Sequence, residues 1–215
     1  MIEFRELLLT PRAVANWQKP GDPTGRGRPG TQLSSIRGIV VHWTANFARG
    51  ADAIANRNYF EYQTDKEADG SARYVSSHYI VDDLRIVRCV PDNEVAYHTG
   101  GNFNPVLQPI YGTRPNSNTL SIEWCVNAGS NGGNTYQNVV ALVGELCFRT
   151  GLTDKQVLRH YDFTGKDCPG FFVSDQIAVK LGFTLPPGGA QALWQQFLRD
   201  VRVATRARYV MAVLR

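Results

Sequence analysis

The side chains best suited to chemistry in this sequence are one cysteine and the histidines: Cys168, His42, His78, His98 and His160. His42 lies where an apolar run gives way to polar residues, so we expect its side chain at the end of a strand. His160 begins the segment HYDFTGKDCPG, whose glycine and proline residues force a bend that can return Cys168 to the side of His160. Two imidazoles and one thiolate suit a tetrahedral zinc ion whose fourth position is left to water, which is the catalytic arrangement.

The spacing of His160 and Cys168 gives this interpretation only weak support. His42 taken alone also fits a partly buried histidine with one hydrogen bond. No further cysteine or histidine lies close to this pair in the sequence, as a closed structural zinc site would need. The other cysteines are Cys89, Cys125 and Cys147. In a chain of 215 residues without a recognisable secretory signal, reduced core thiols or a metal ligand are favoured over disulfides.

Hydropathy patterns predict the elements that must position these groups. The β-branched run IRGIVVHWT predicts a buried strand that carries His42 at its end. Further strands are predicted at 74–81, 84–90, 120–126 and 157–160, with a hairpin between the first two of these. Helices are predicted at 51–63, 136–150 and 174–181. The mixture indicates an α/β fold in which a mixed central β-sheet is flanked by helices.

Length and composition indicate one globular domain with extensions. The chain has 215 residues, of which 43% are hydrophobic and 20% charged, and this balance excludes disordered and coiled-coil proteins. A net charge of +4 is too small to indicate nucleic-acid binding, and no apolar run approaches the roughly 18 residues of a membrane span. We predict an N-terminal arm at 1–35, with a short helix between Glu3 and Trp17, a domain at 36–185 and an extension at 186–215.

Five short segments together resemble one enzyme family. VVHWT, SSHYIVD, AYHTGG, SIEW and RHYDFTGKDCPG occur in the order and at the approximate spacings of zinc-dependent N-acetylmuramoyl-L-alanine amidases. That superfamily includes peptidoglycan-recognition proteins and many phage endolysins. The resemblance runs from about Ile36 to Phe172, nearly two thirds of the chain. It implies a single amidase/peptidoglycan-recognition-like domain.

The resemblance implies that His42, His160 and Cys168 hold one zinc ion per chain, with Glu123 and Lys166 as the catalytic pair. A thiolate ligand leaves the zinc centre less positive, so further groups should help to deprotonate the water and hold the oxyanion. Glu123 suits a general base that later protonates the leaving amine, and Lys166 suits a donor to the oxyanion. Without the neighbouring motifs, an edge-strand carboxylate and a solvated loop charge would describe these two residues.

Other residues are assigned to the substrate cleft or to the sheet by the same motifs. His98 matches a position that lines the cleft in the family. With Thr99 and Asn102 it could hydrogen-bond the muramoyl group or the stem peptide; a loop histidine that caps a turn is the alternative. Ser77 stands where some members carry a catalytic tyrosine, so a tyrosine-assisted mechanism is not expected. His78 is expected to support the sheet rather than to bind metal.

The activity implied by the resemblance is peptidoglycan hydrolysis, in which zinc-activated water cleaves the amide between the lactyl group of N-acetylmuramic acid and L-alanine. An endolysin is favoured, since Cys168 stands where some cytoplasmic recycling amidases use aspartate. The alternatives are a non-catalytic peptidoglycan-recognition module and a cytoplasmic muropeptide-recycling amidase. The N-terminus MIEFRELLLTPRAVANW lacks the features of a signal peptide. A phage endolysin of this kind would stay in the host cytoplasm until its release to the cell wall.

The C-terminal extension is typical of a basic amphipathic helix. From Ala190 onward one predicted face is apolar and the opposite face collects arginines. The apolar residues are Trp194, Phe197, Leu198, Val201 and Ala204. This face either packs on the domain or also contacts an anionic membrane or outer-membrane surface through residues 190–215.

Overall fold

Six strands form one sheet at the centre of the computed structural model, which describes residues 2–15, 22 and 24–213. The strands are β1 (Glu3–Glu6), β2 (Gly38–Trp43), β3 (Tyr79–Val81), β4 (Arg85–Arg88), β5 (Thr119–Trp124) and β6 (Val157–Arg159). The α-helices are α1 (Ala53–Glu61), α2 (Gln108–Tyr111), α3 (Gly132–Thr150), α4 (His160–Thr164), α5 (Asp175–Lys180) and α6 (Gly189–Val213). Residues 1, 16–21 and 23 of the predicted arm, and 214 and 215 of the predicted extension, lie outside the described residues.

The sheet is mixed and flanked by helices, which confirms the predicted fold class. Its order is β1-β4-β3-β5-β2-β6, and β3, β5, β2 and β6 run parallel to one another. β3 and β4 pair antiparallel, as the predicted hairpin requires. Because the four parallel strands share a direction, their carboxyl ends meet at one edge of the sheet. At that edge His42 of β2 lies in register with Glu123 of β5.

β2 shows how the two faces of the sheet divide, since side chains alternate along a strand. Ile39 and Val41 are fully buried in the main core, together with residues of α3 and α6. Val40 points the other way, into a smaller apolar cluster with Tyr111 of α2 and Phe163 of α4. His42 shares the face of Val40 by the same alternation. The candidate site therefore lies on the side of the sheet opposite to α3 and α6.

The apolar face of the C-terminal extension belongs to the main core. Leu193, Trp194, Phe197 and Val201 of α6 are buried there against α3 and the sheet. Gly144 of α3 allows the two helices to approach closely, because a Cβ atom at this position would lie 2.7 Å from the Cβ of Ala204. The apolar face for which membrane contact was one of the two predicted alternatives is therefore buried in the protein's own core.

The last turns of α6 are different, because they carry exposed apolar side chains. These are Val203, Tyr209, Val210, Met211 and Val213. Two arginines on this part of the helix are held by ion pairs, Arg202 with Asp154 and Arg208 with Glu145. Among the described residues, no helix is both long and apolar enough to cross a membrane.

The expected N-terminal helix between Glu3 and Trp17 is wrong. Residues Glu3–Glu6 form β1, which pairs in parallel with β4, and the described residues 7–15 contain no helix; Trp17 lies outside the description. Ion pairs join Glu3 to Arg85 and Glu6 to Arg88 across this strand pair. The edge of a strand about 80 residues away in sequence, with its arginines, decides the conformation here, and local periodicity cannot indicate such a partner.

Candidate metal centre and cleft

Three potential metal ligands meet at the carboxyl edge of the sheet. His42 lies near the end of β2, His160 begins α4 directly after β6, and Cys168 follows α4. Gly165 ends α4 in the left-handed region, with φ of 74°, and the Tyr161 N–H donates to the Cys168 carbonyl at 2.9 Å. The predicted bend is therefore present, and one potential ligand atom from each residue lies within 4.8 Å of the others. All four cysteines are free thiols.

The chemistry of this cluster fits a metal ion. Cys168 Sγ lies 3.6 Å from His42 Nδ1, and neither ring nitrogen of His160 makes a hydrogen bond of ordinary geometry within the described residues. Burial lowers the pKa of His42 well below its usual value and that of His160 to about 4, so both imidazoles are neutral. Burial raises the pKa of the Cys168 thiol to about 12. A bound cation reverses that effect, since a coordinating thiol is deprotonated.

Glu123 lies beside His42 on the adjacent strand and on the same face of the sheet. Its side chain is partly exposed to the cleft, but its Oε2 atom is buried and lacks a hydrogen-bond partner among the described residues. Burial raises the pKa of Glu123 to about 8, against the opposing effect of the Lys166 charge. A carboxyl with a pKa near neutrality is suited to acid–base chemistry.

Lys166 occupies the rim of the site rather than its floor. Its side chain is exposed on the turn between Gly165 and Cys168, and it lines the same cleft as the cluster. Its positive charge lowers the pKa of both Glu123 and His160. The position places a positive charge within electrostatic reach of the potential metal ligands.

The cluster opens into a cleft of about 870 Å³ that extends beyond the predicted residues. Aromatic and charged side chains line this extension: Tyr59, Asp65, Glu67, Arg73, Tyr74 and Tyr97. The Tyr59 hydroxyl donates to Asp65 at 2.6 Å, and the rings of Tyr74 and Tyr97 meet edge-on with centroids 6.1 Å apart. These residues were not predicted, because four of them lie between α1 and β3 in a segment that carries no site motif, and Tyr59 and Tyr97 come from other parts of the chain. The clustered tyrosines and charges of that segment were the available signal.

The three residues predicted to contact substrate do not all line the same cavity. His98 and Thr99 line the cleft, whereas Asn102 lines a separate hollow beside α4. Both ring nitrogens of His98 face protein groups: Nδ1 lies 3.1 Å from His42 Nε2, and Nε2 lies 3.2 Å from Thr119 Oγ1. The ring of His98 is therefore engaged by the protein itself.

His78 and Ser77 directly precede β3 and are hydrogen-bonded to the sheet, as expected for His78. The Ser121 N–H donates to His78 Nδ1 at 3.0 Å, and His78 Nε2 donates to the Glu94 carbonyl at 2.9 Å. The Ser77 hydroxyl donates to the Tyr79 carbonyl at 2.9 Å. Burial lowers the pKa of His78 to about 4, so a neutral ring joins β5 to the loop that contains Glu94.

Comparisons with known proteins match the part of the chain that carries this site. A family model described as N-acetylmuramoyl-L-alanine amidase matches residues 32–171. A probable N-acetylmuramoyl-L-alanine amidase of Bacillus licheniformis is 39% identical over 151 residues, which cover 69% of this chain and 40% of that protein. The N-acetylmuramoyl-L-alanine amidase CwlL of the same species is 37% identical over 170 residues, covering 76% and 43%. The chain spans less than half the length of either relative.

Solved structures share the fold. The catalytic domain of XlyA superposes with a TM-score of 0.63 at 24% identity, covering 85% of this chain and 100% of that chain. A mutant endolysin from Bacillus subtilis superposes with a TM-score of 0.62 at 26% identity, covering 86% of this chain and 100% of that chain. Both alignments extend beyond the residues that the family model matches.

Proposed function

Because the chain belongs to the N-acetylmuramoyl-L-alanine amidase family, we propose that it hydrolyses the amide between the lactyl group of N-acetylmuramic acid and L-alanine in peptidoglycan. The observation that carries this proposal is the cluster of His42, His160 and Cys168 beside Glu123 in one cleft. A module that only binds peptidoglycan needs the cleft but not a metal-binding triad next to an acid–base group. The site therefore favours an enzyme over a recognition module.

Zinc is the metal that the donor set favours, with His42, His160 and Cys168 as ligands to one ion per chain. Two imidazole nitrogens and one thiolate are typical zinc ligands, and three of them leave a position open. When bound, zinc supplies Lewis acidity toward the amide and lowers the pKa of water. The thiolate reduces the positive charge of the centre, so neighbouring side chains must carry part of the catalysis.

Glu123 serves in this proposal as the general base and then the general acid. Its carboxylate takes a proton from the attacking water, and the resulting carboxylic acid returns the proton to the L-alanine nitrogen as the C–N bond breaks. The pKa of about 8 applies to the protein without a cation, and a divalent charge in the cluster would lower it. The buried Oε2 has no competing hydrogen bond to break within the described residues.

Lys166 donates to the carbonyl oxygen as negative charge develops there. Its ammonium stands on a flexible stem at the exposed rim, so it can follow the substrate into the cleft. A donor placed where charge appears in the transition state lowers the barrier more than it strengthens substrate binding.

The substrate lies along the cleft, from the metal cluster toward the part of the cleft lined by Tyr59, Tyr74 and Tyr97. Sugar and peptide surfaces suit the exposed rings of Tyr59 and Tyr74, and the partly exposed guanidinium of Arg73 suits a stem-peptide carboxylate. Thr99 lines this cleft and keeps its proposed role as a substrate contact, whereas Asn102 lines the separate hollow beside α4 and would meet only a substrate that extends there. His98 is not a substrate contact in this proposal, because both of its ring nitrogens face protein groups.

We further propose that the protein acts at the cell wall as an endolysin, held in the host cytoplasm until its release. The alternative, a recycling amidase, would act on soluble muropeptides instead. Contact with an anionic membrane or outer-membrane surface is confined in this proposal to the end of α6, where Tyr209, Val210 and Met211 are exposed near Arg206.

Digestion of purified sacculi tests the proposed activity. New amino-terminal alanine should appear in step with the loss of turbidity, and no new reducing sugar ends should appear. The Glu123→Ala variant should produce neither new amino-terminal alanine nor a loss of turbidity. New reducing ends would identify a glycosidase, and an inert wild-type protein would identify a binding module. Faster turnover of soluble muropeptides than of sacculi would favour the recycling enzyme.

A further inference from the structure

A buried chain of hydrogen bonds leads away from the metal cluster through His42. His42 Nε2 lies 3.1 Å from His98 Nδ1, and His98 Nε2 lies 3.2 Å from the Thr119 hydroxyl. That hydroxyl in turn donates to the Pro115 carbonyl at 2.7 Å. His42, His98 and Thr119 are all buried, so solvent does not offer these groups other partners.

The proton positions in this chain follow from its last member. A carbonyl oxygen only accepts hydrogen bonds, so the single hydroxyl proton of Thr119 goes to Pro115. Thr119 must then accept from His98, which places the proton of the neutral His98 ring on Nε2. His98 Nδ1 is left as an acceptor, so His42 carries its proton on Nε2 and donates it. The lone pair of His42 is thereby left on Nδ1.

His42 Nδ1 is the atom that faces the cluster, since it lies 3.6 Å from Cys168 Sγ. The opposite assignment, with protons on Nδ1 of both rings, would block the ligand atom of His42. It would also require Thr119 to donate to His98 and would leave the Pro115 carbonyl without this donor. Both rings are buried and hydrogen-bond no carboxylate among the described residues, so each is neutral.

The loop that contains Pro115 is tied to the segment that contains His98. Asn116 Oδ1 accepts from the Thr99 N–H at 2.9 Å, and Asn116 Nδ2 donates to the Thr99 carbonyl at 3.2 Å. This two-way contact holds the residue after His98 against the residue after Pro115. The geometry of the whole hydrogen-bond chain is therefore fixed by the fold and not only by the side chains that form it.

We propose that His98 and Thr119 are positioning residues that keep the proton of His42 on Nε2 and leave Nδ1 free to bind the metal. This inference rests on the proposed metal centre, and it replaces the substrate contact predicted for His98. Groups that orient a ligand histidine in this way typically change metal affinity tenfold to a hundredfold when they are removed.

Nitrogen NMR of the zinc-free protein tests the proton positions directly, since protonated and unprotonated ring nitrogens differ in chemical shift. The wild type should show His42 with its proton on Nε2 alone. Thr119→Ser should keep that single form, because the hydroxyl is retained, whereas Thr119→Val should show a mixture of both forms. A wild-type His42 protonated on Nδ1 would overturn the proposal whatever the variants do.

Zinc affinity, measured by competition with a chelator, provides the second test. His98→Leu leaves the His42 N–H without an acceptor and should weaken zinc binding by about tenfold to a hundredfold. His98→Gln supplies both an acceptor and a donor and should restore most of the loss. Equal affinities of the wild type, His98→Leu and His98→Gln would refute the role of His98. A wild type that binds no zinc would instead refute the metal centre, while the NMR result would still judge the hydrogen-bond chain.

Discussion

Replacing Glu123 with glutamine should remove activity and at the same time stabilise the zinc-free protein. Burial raises the pKa of Glu123 from 4.5 to about 8, so ionising this carboxyl costs the folded state up to about 5 kcal/mol. The side chain is partly exposed to the cleft, and solvent screening reduces the expected penalty to about 2–5 kcal/mol. The amide of Glu123→Gln has nearly the same shape and is neutral at every pH, so it carries no such penalty.

The sign of the effect depends on pH. Unfolded chains lose the Glu123 proton near pH 4.5 and folded chains near pH 8, so between these values the folded state binds more protons. Wild-type stability should therefore fall through this window, while that of Glu123→Gln should not. The two proteins should match at about pH 4, and the variant should be more stable by about 2–5 kcal/mol at about pH 9. Urea unfolding of the zinc-free proteins measures both values.

The zinc-loaded variant provides the catalytic half of the test. Loss of the general base should lower the rate of sacculus digestion by about a hundredfold to ten-thousandfold while zinc is retained. Glu145→Gln is the matched control, because Glu145 lies on α3 and pairs with Arg208 on the far face of the sheet. It should change neither the rate nor the pH dependence. The role proposed for Glu123 would be refuted if the free energies of unfolding of wild type and Glu123→Gln changed in parallel with pH. It would also be refuted if the rate of Glu123→Gln stayed within a few-fold of the wild-type rate.

Three further predictions concern the metal, the core and the surface. Cys168→Ala should lose most of the bound zinc, measured by metal analysis of the purified protein, and full retention in both this variant and His160→Ala would contradict the ligand set. Phe197→Ala should lower the free energy of unfolding by about 3–5 kcal/mol in urea titrations, because this ring is fully buried between α6 and the sheet, whereas a loss below about 1 kcal/mol would show a detachable tail. Co-sedimentation of the whole chain with anionic vesicles should weaken in Met211→Ser and in added salt, and equal binding to neutral vesicles would count against the proposed surface contact.

Sequence patterns predicted the helices and strands that depend on the hydropathy pattern of neighbouring residues. β2 carries His42 near its end. α3 buries the predicted apolar stripe of Val139, Val143 and Leu146, and Gly151 caps its C-terminus. The bend after His160 also followed from glycine and proline alone. These features depend on residues within a few positions of one another, so the chain's local chemistry is sufficient to indicate them.

The features that escaped prediction depend on distant partners. β1 forms because β4 offers it an edge and oppositely charged side chains. The hydrogen bonds of His98 could not be predicted from its motif, since only the folded sheet brings Thr119 and His42 to its ring. The tyrosine-rich part of the cleft combines Tyr59 of α1 with Tyr74 and Tyr97 from segments without regular structure, and only the folded chain brings these three residues together.

Zinc titration of the metal-free protein on purified sacculi, with the released fragments identified by mass spectrometry, tests whether one zinc ion per chain is needed to cut the amide between the lactyl group and L-alanine. Fragments should appear in proportion to added zinc and level off at about one ion per chain. They should be stem peptides that begin with a free L-alanine amino group, together with glycan strands whose lactyl groups end in free carboxylates. Cleavage at another bond, or the same fragments released without zinc, would contradict the proposed zinc-dependent cleavage.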